Sequence, residues 1–116
     1  MASNFIQRGN TLTAIAPSGG VVSGDGVLIG NLFGVALTGA SEGKEFEMTM
    51  GGVFSLPVAS GASFDSFGAV SWDSLAGACA APGPGRAPIG VAVRPTVAGV
   101  GHVEVRLDGV ATAPAA

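Results

Sequence analysis

Punctuation constrains this chain more than any other feature. Short alternating or β-branched runs are separated by clusters of Gly, Pro, Ser and Asp at a spacing of roughly 8 to 12 residues, the pattern of an all-β sandwich or barrel. The runs predict strands over residues 11–16, 20–23, 26–30, 32–38, 44–50, 52–56, 68–72, 89–94 and 102–107. No window supports a helix. The best, "VSWDSLAGACAA" over 70–81, carries Gly77 and stops at "PGPG", so one turn at most is expected there.

One phrase of this pattern occurs twice. "GVALTGASEGKEFEMTMGGVFSLP" (34–57) aligns with "GVAVRPTVAGVGHVEVRLDGVATAP" (90–114) once a single residue is inserted in the first turn. Both read strand, Gly-bearing turn, alternating strand, Gly, short strand, Pro. Side chains alternate across a strand, so Phe46, Met48 and Met50 oppose Glu45, Glu47 and Thr49, while Val103, Val105 and Leu107 oppose His102, Glu104 and Arg106. Each hairpin has one oily face and is too small to stand alone in water. The expectation is a compact single-domain β-sandwich or β-barrel in which the two quasi-repeated hairpins pack face to face. The chain divides into an N-terminal arm (1–10), a β domain (11–109) and a flexible C-terminal tail (110–116), with ends of low structural content at "MASN" and "ATAPAA".

Composition narrows the partners. Hydrophobic residues make up 47% and charged residues only 11%, so disorder is disfavoured and a sparsely charged surface is expected to meet another protein. The net charge is −3, and Arg8, Lys44, Arg86, Arg94 and Arg106 are too scattered to neutralise a phosphate backbone, which argues against nucleic acid. "MASNFIQRGN" lacks the basic and apolar regions of a secretory signal, so synthesis and retention inside a cell are expected. The stretch "GVLIGNLFGVAL" (26–37) is shorter than the roughly 20 residues that span a bilayer and reads as two buried strands; no membrane partner is expected. The lone Cys79 sits among Ala and Gly and reads as an inert filler.

Candidate chemistry is thin. "GASEGKE" (39–45) resembles a phosphate loop but has three residues between its glycines rather than four, and Glu45 stands where the magnesium-binding hydroxyl belongs. "GDGVLIG" (24–30) places its third glycine one residue late and leads into a strand, so no helix dipole would meet a pyrophosphate. His102 is the only histidine and has no second ligand for zinc. None of Ser41, Ser55, Ser60 or Ser74 lies in a nucleophile elbow, and Asp65 and Asp73 flank turn residues, where Asp bonds local backbone. Trp72 is the one large amphipathic ring and is expected either against the core or at a subunit contact. These residues imply no catalytic group, no cofactor, no metal and no enzyme.

The segments "NFIQRGNTLT", "APSGGVVSGDGVLIGNLFGVAL", "GVFSLP", "GAVSWD", "PIGVAV" and "VEVRL" together, in order and spacing over about residues 4–109, resemble the capsid cement or decoration proteins of tailed bacteriophages, once listed as a domain of unknown function. The resemblance implies a compact all-β domain on the outer surface of the virion capsid, made in the host bacterial cytoplasm. Its implied partners are the major capsid protein and itself, as a homotrimer at three-fold and quasi-three-fold positions, where it stabilises the shell. Two departures stand out. "CAAPGPGRAPIG" (79–90) is proline-rich where relatives carry a polar Thr-rich and Asn-Gly turn, and Arg8 stands where relatives often have proline. The stiff loop is expected to be a contact that varies with the host shell. Interface candidates are Asn4, Phe5, Ile6 and Gln7 of the arm, with Phe5 and Ile6 as anchors, together with Trp72 and Arg86. The alternative is a β-rich tail-associated or surface module that binds a receptor or glycan. That role wants exposed aromatic rings, and the chain has one Trp and no Tyr.

Overall fold

Alternation leaves a strand with one wet and one dry face, and dry faces are buried by pairing sheets. A computed structural model describes residues 9–97, 99 and 101–115. Its strands among these are β1 (Thr11–Ile15), β2 (Gly26–Ile29), β3 (Leu32–Ala36), β4 (Glu45–Thr49), β5 (Gly52–Pro57), β6 (Ala69–Asp73), β7 (Ala78–Ala80), β8 (Ala87–Ala92) and β9 (His102–Leu107). They form two antiparallel sheets, ordered β1-β4-β3-β2 and β5-β9-β8-β6-β7. The second sheet curls until Val58, just past β5, makes a parallel bridge to Cys79 of β7. The chain is an all-β single domain, as its sequence pattern implies.

The expected alternation holds on the two repeated strands. Phe46, Met48 and Met50 are buried, as are Val103, Val105 and Leu107, while Glu45, Glu47, His102, Glu104 and Arg106 are exposed. Thr49 departs from it: the residue is buried, and its hydroxyl satisfies itself by donating to the Asn10 carbonyl at 3.1 Å. Asn10 is thereby tied to the first sheet, and its carbonyl also accepts the Met50 N–H at 2.8 Å.

The alternating strands of the two repeated hairpins, β4 and β9, do not pack on each other. β3–β4 lies in the first sheet and β8–β9 in the second, and the oily faces of β4 and β9 fill two different cores. The cause is the junction after β4. At Gly51–Gly52, with Gly52 at φ 108°, the chain leaves the first sheet, and β5 pairs with β9 instead of continuing beside β4. In the second copy, residues 110–114 form no strand. β3 links the two cores, because its alternate residues face opposite ways: Phe33 and Val35 join the larger core of the second sheet, Leu32 and Ala36 the smaller core of the first.

One local difference from the sequence reading has a plain cause. Residues 20–23 are not a strand, since Val21 makes only a single bridge to Ala40. The window expected to hold one helical turn at most is the β6–β7 hairpin; its turn has a single i→i+4 bond, from Gly77 N–H to the Asp73 carbonyl at 2.8 Å, and Asp73 Oδ1 accepts the N–H of Leu75 at 3.0 Å and of Ala76 at 3.2 Å. Beyond β9, Thr112 and Ala115 bond back to the rest of the fold. Thr112 N–H donates to the Asn31 carbonyl at 2.7 Å, and Ala115 exchanges hydrogen bonds with the loop before β8 through the Arg86 carbonyl and the Gly85 N–H.

Candidate functional site

Asn4, Phe5, Ile6 and Gln7 lie outside the described residues, so the arm stays a sequence-based expectation. Of the two places expected for Trp72, core or subunit contact, the structure gives it the core. It is 5% exposed, and its ring lies 5.0 Å from that of Phe33, tilted by 50°. Gly26 of β2 completes the seat, because a Cβ there would come within 2.9 Å of both rings. Trp72 projects from the second sheet onto the first and belongs to the core, with no surface left for a partner.

Arg86 is where a contact residue can work. Its side chain is 38% exposed, its Nη1 donates to the Ala81 carbonyl at 2.9 Å, and its Nε stands 4.0 Å from Asp73 Oδ2. The bonds from Ala115 tie the proline-rich loop around it to the C-terminal segment.

The remaining candidates take structural roles. "GASEGKE" is the β3–β4 turn, where the Lys44 N–H donates to the Ser41 carbonyl at 3.0 Å and Gly43 has φ 81°. Asp65 and Asp73 flank opposite ends of β6, so they do not form a carboxylate pair. His102 is exposed at the start of β9; two residues on, Glu104 accepts from Arg94 Nε at 2.7 Å, a surface pair worth about 0.2–1 kcal/mol. Among the described residues, no group of three or more His, Cys, Asp or Glu could hold a metal ion, and no helix is long and apolar enough to cross a membrane.

Cys79 is fully buried, and desolvation pushes its thiol from the ordinary 9.0 up to about 12. Alkylation needs the thiolate, so the folded protein is expected to resist iodoacetamide at pH 8 and to react fully in denaturant, read by intact mass. Rapid labelling of the folded chain would contradict this burial. The raised folded value also sets a sign for stability. This group's contribution is intact below the unfolded thiol's pKa near 9 and is lost as pH rises toward 12, because the unfolded chain releases the proton first.

The sequence reading expected a sparsely charged surface but missed which apolar residues it displays. Phe67 is 73% exposed, Val97 70% and Leu75 wholly so. Leu75 tips the turn pinned by Asp73, and Phe67 sits in the Asp65–Gly68 turn, so both are displayed on hydrogen-bonded backbone. The available signal was an aromatic residue placed directly before a glycine between turn formers, in "FDSFGAV". Two clefts indent the surface. One of about 390 Å³, at the junction of the sheets, is lined by Gly9, Gly51, Gly52 and Gly109 with Asn10 and Arg106. The other, of about 170 Å³, lies at the seam of the curled sheet between Ala59–Ala62 and Ala80–Arg86.

A stiff β framework that displays apolar side chains on pinned turns has the character of a structural binding protein. The family model for phage cement proteins matches residues 6–107, and the chain belongs to that family. Neither a curated protein nor a solved structure matches it. Family membership makes it a structural, capsid-associated protein of a bacteriophage virion.

Proposed function

We propose that the protein docks on the outer surface of the phage head as a homotrimer at three-fold and quasi-three-fold positions and stabilises the shell there. The observation that carries this reading is the cement-family match over nearly the whole chain. The exposed Phe67, Leu75 and Val97 support it, since burying them against neighbours gives docking its hydrophobic gain. A filled head presses outward on its shell. A protein bridging neighbouring capsomers resists this, because separating them would also break its own contacts, and binding free energy becomes shell stability. Three-fold symmetry repeats each contact three times, so modest interfaces act together. The arm, with Phe5 and Ile6, extends from the edge strand β1 toward a neighbour and adds a strand to its sheet.

The test is the ratio of this protein to major capsid protein in purified particles, by quantitative mass spectrometry. Trimers on every three-fold and quasi-three-fold position give about one copy per capsid subunit by symmetry. Only a few copies per particle would overturn the reading and favour a vertex or tail position, where a receptor- or glycan-binding module would act.

A further inference from the structure

Phe67 is the only non-glycine among the described residues with a positive φ, at 61°. A bulky side chain rarely adopts that conformation, and holding one there costs stability. It occupies the third position of the Asp65–Gly68 turn, where glycine or asparagine is the usual choice when φ is positive. Three hydrogen bonds enforce the geometry. Gly68 N–H donates to the Asp65 carbonyl at 2.9 Å, Phe67 N–H to the Ala92 carbonyl at 2.7 Å, and Ala92 N–H to the Gly68 carbonyl at 2.9 Å. Within its own fold the ring recovers little of this cost, since 73% of the residue faces solvent.

The cleft at the seam of the curled sheet has the complementary character. Its lining residues are small, Ala59, Ser60, Gly61, Ala62, Ala80 and Ala81, with Arg86 beside them. The guanidinium is already positioned by the Ala81 carbonyl and Asp73, so little freedom is lost when it covers a flat ring. A positioned guanidinium beside walls of small residues favours a flat aromatic occupant, through cation–π attraction, over an aliphatic one such as Leu75.

We propose that Phe67 of one copy seats in the Ala59–Arg86 cleft of a second copy, against the Arg86 guanidinium. Knob and cleft are different patches of the surface, Phe67 just before β6 and the cleft between β5 and β7, so the contact is head-to-tail. Such a contact must close into a ring or run on as a filament. Closure at three builds on the homotrimer proposed above and assigns its contact: each subunit gives one ring and receives one.

The test uses the full chain in size-exclusion chromatography with light scattering. Phe67→Asn keeps a residue that tolerates positive φ and removes the ring; Ala81→Leu fills the cleft from an exposed position, and circular dichroism checks that both fold. The parent is expected to contain three chains and each variant one. Mixed at high concentration, the two variants are expected to form a two-chain species, because only the intact ring of one and the intact cleft of the other can join, and closure is blocked. Variants that remain three-chain overturn this contact and leave the trimer standing. A parent that stays a single chain at its highest soluble concentration also overturns the contact, while the particle ratio separately decides the shell reading. Loss of binding to protein-stripped shells by a still-trimeric Phe67→Asn would instead place the ring against the capsid, and would equally overturn it.

Discussion

Gly90→Ala is expected to destabilise the domain by about 3–5 kcal/mol, a large part of the roughly 5–15 kcal/mol that holds a domain folded. Gly90 lies in β8, between β9 and β6, and pairs with Leu107. A Cβ there would collide with the Arg106 carbonyl oxygen and lie 3.0 Å from its carbonyl carbon and 3.2 Å from Leu107 Cα. All three atoms are backbone. No flexible side chain can yield, so β9 must move away from β8, and a ladder in the middle of the curled sheet breaks. At a few degrees per kcal/mol for a domain of this size, the melting temperature should fall by at least ~10 °C. Gly101→Ala is the control: nothing lies within 4 Å of a Cβ there, and the backbone is not in the left-handed region. It should stay within about 0.5 kcal/mol of the parent. Thermal melts of the two variants decide the matter, and a Gly90→Ala protein melting within a degree or two of the parent would refute the close approach.

Trp72→Ala is expected to cost a further about 3–5 kcal/mol, the usual range for removing a large buried aromatic side chain. The position matters as much as the size. Trp72 comes from β6 of the second sheet and meets Phe33 of β3 and Gly26 of β2 in the first, so its removal opens a void where the sheets touch. Trp72→Phe keeps a ring in the seat and should cost less. The chain has one tryptophan, so its fluorescence in the parent reports this contact directly, with blue-shifted emission that reddens on unfolding. Denaturant titration of the two variants provides the measurement. A Trp72→Ala protein of parental stability that no longer binds shells would return Trp72 to the interface and contradict its place in the core.

Legibility was uneven, for physical reasons. Turn chemistry and alternation are local properties. β4 and β9 were therefore readable to within a residue, and Asp73 was readable as a turn former. β7 is only Ala78–Ala80, three small residues without alternation, and it became a strand because β6 lay alongside to pair with it. Surface residues divided similarly. Arg86 was legible as the one charge in a stiff loop, whereas the display of Phe67 depends on the left-handed turn that the Ala92 backbone imposes from a distant part of the chain.

The sequence by itself determined that this chain is all-β, which faces of β4 and β9 are dry, and, through six ordered segments, its kinship with cement proteins. Tertiary structure alone decided that β4 and β5, adjacent in sequence, belong to different sheets, that the dry faces of β4 and β9 fill separate cores, and that Trp72 faces inward while Phe67 faces out. A period of two states which side of a strand is apolar, but it is the same for either sheet that could cover that side. The choice belongs to pairings between residues far apart along the chain, such as Phe54 with Val105, and to close approaches such as Gly90 on β9, which exist only once the strands are side by side.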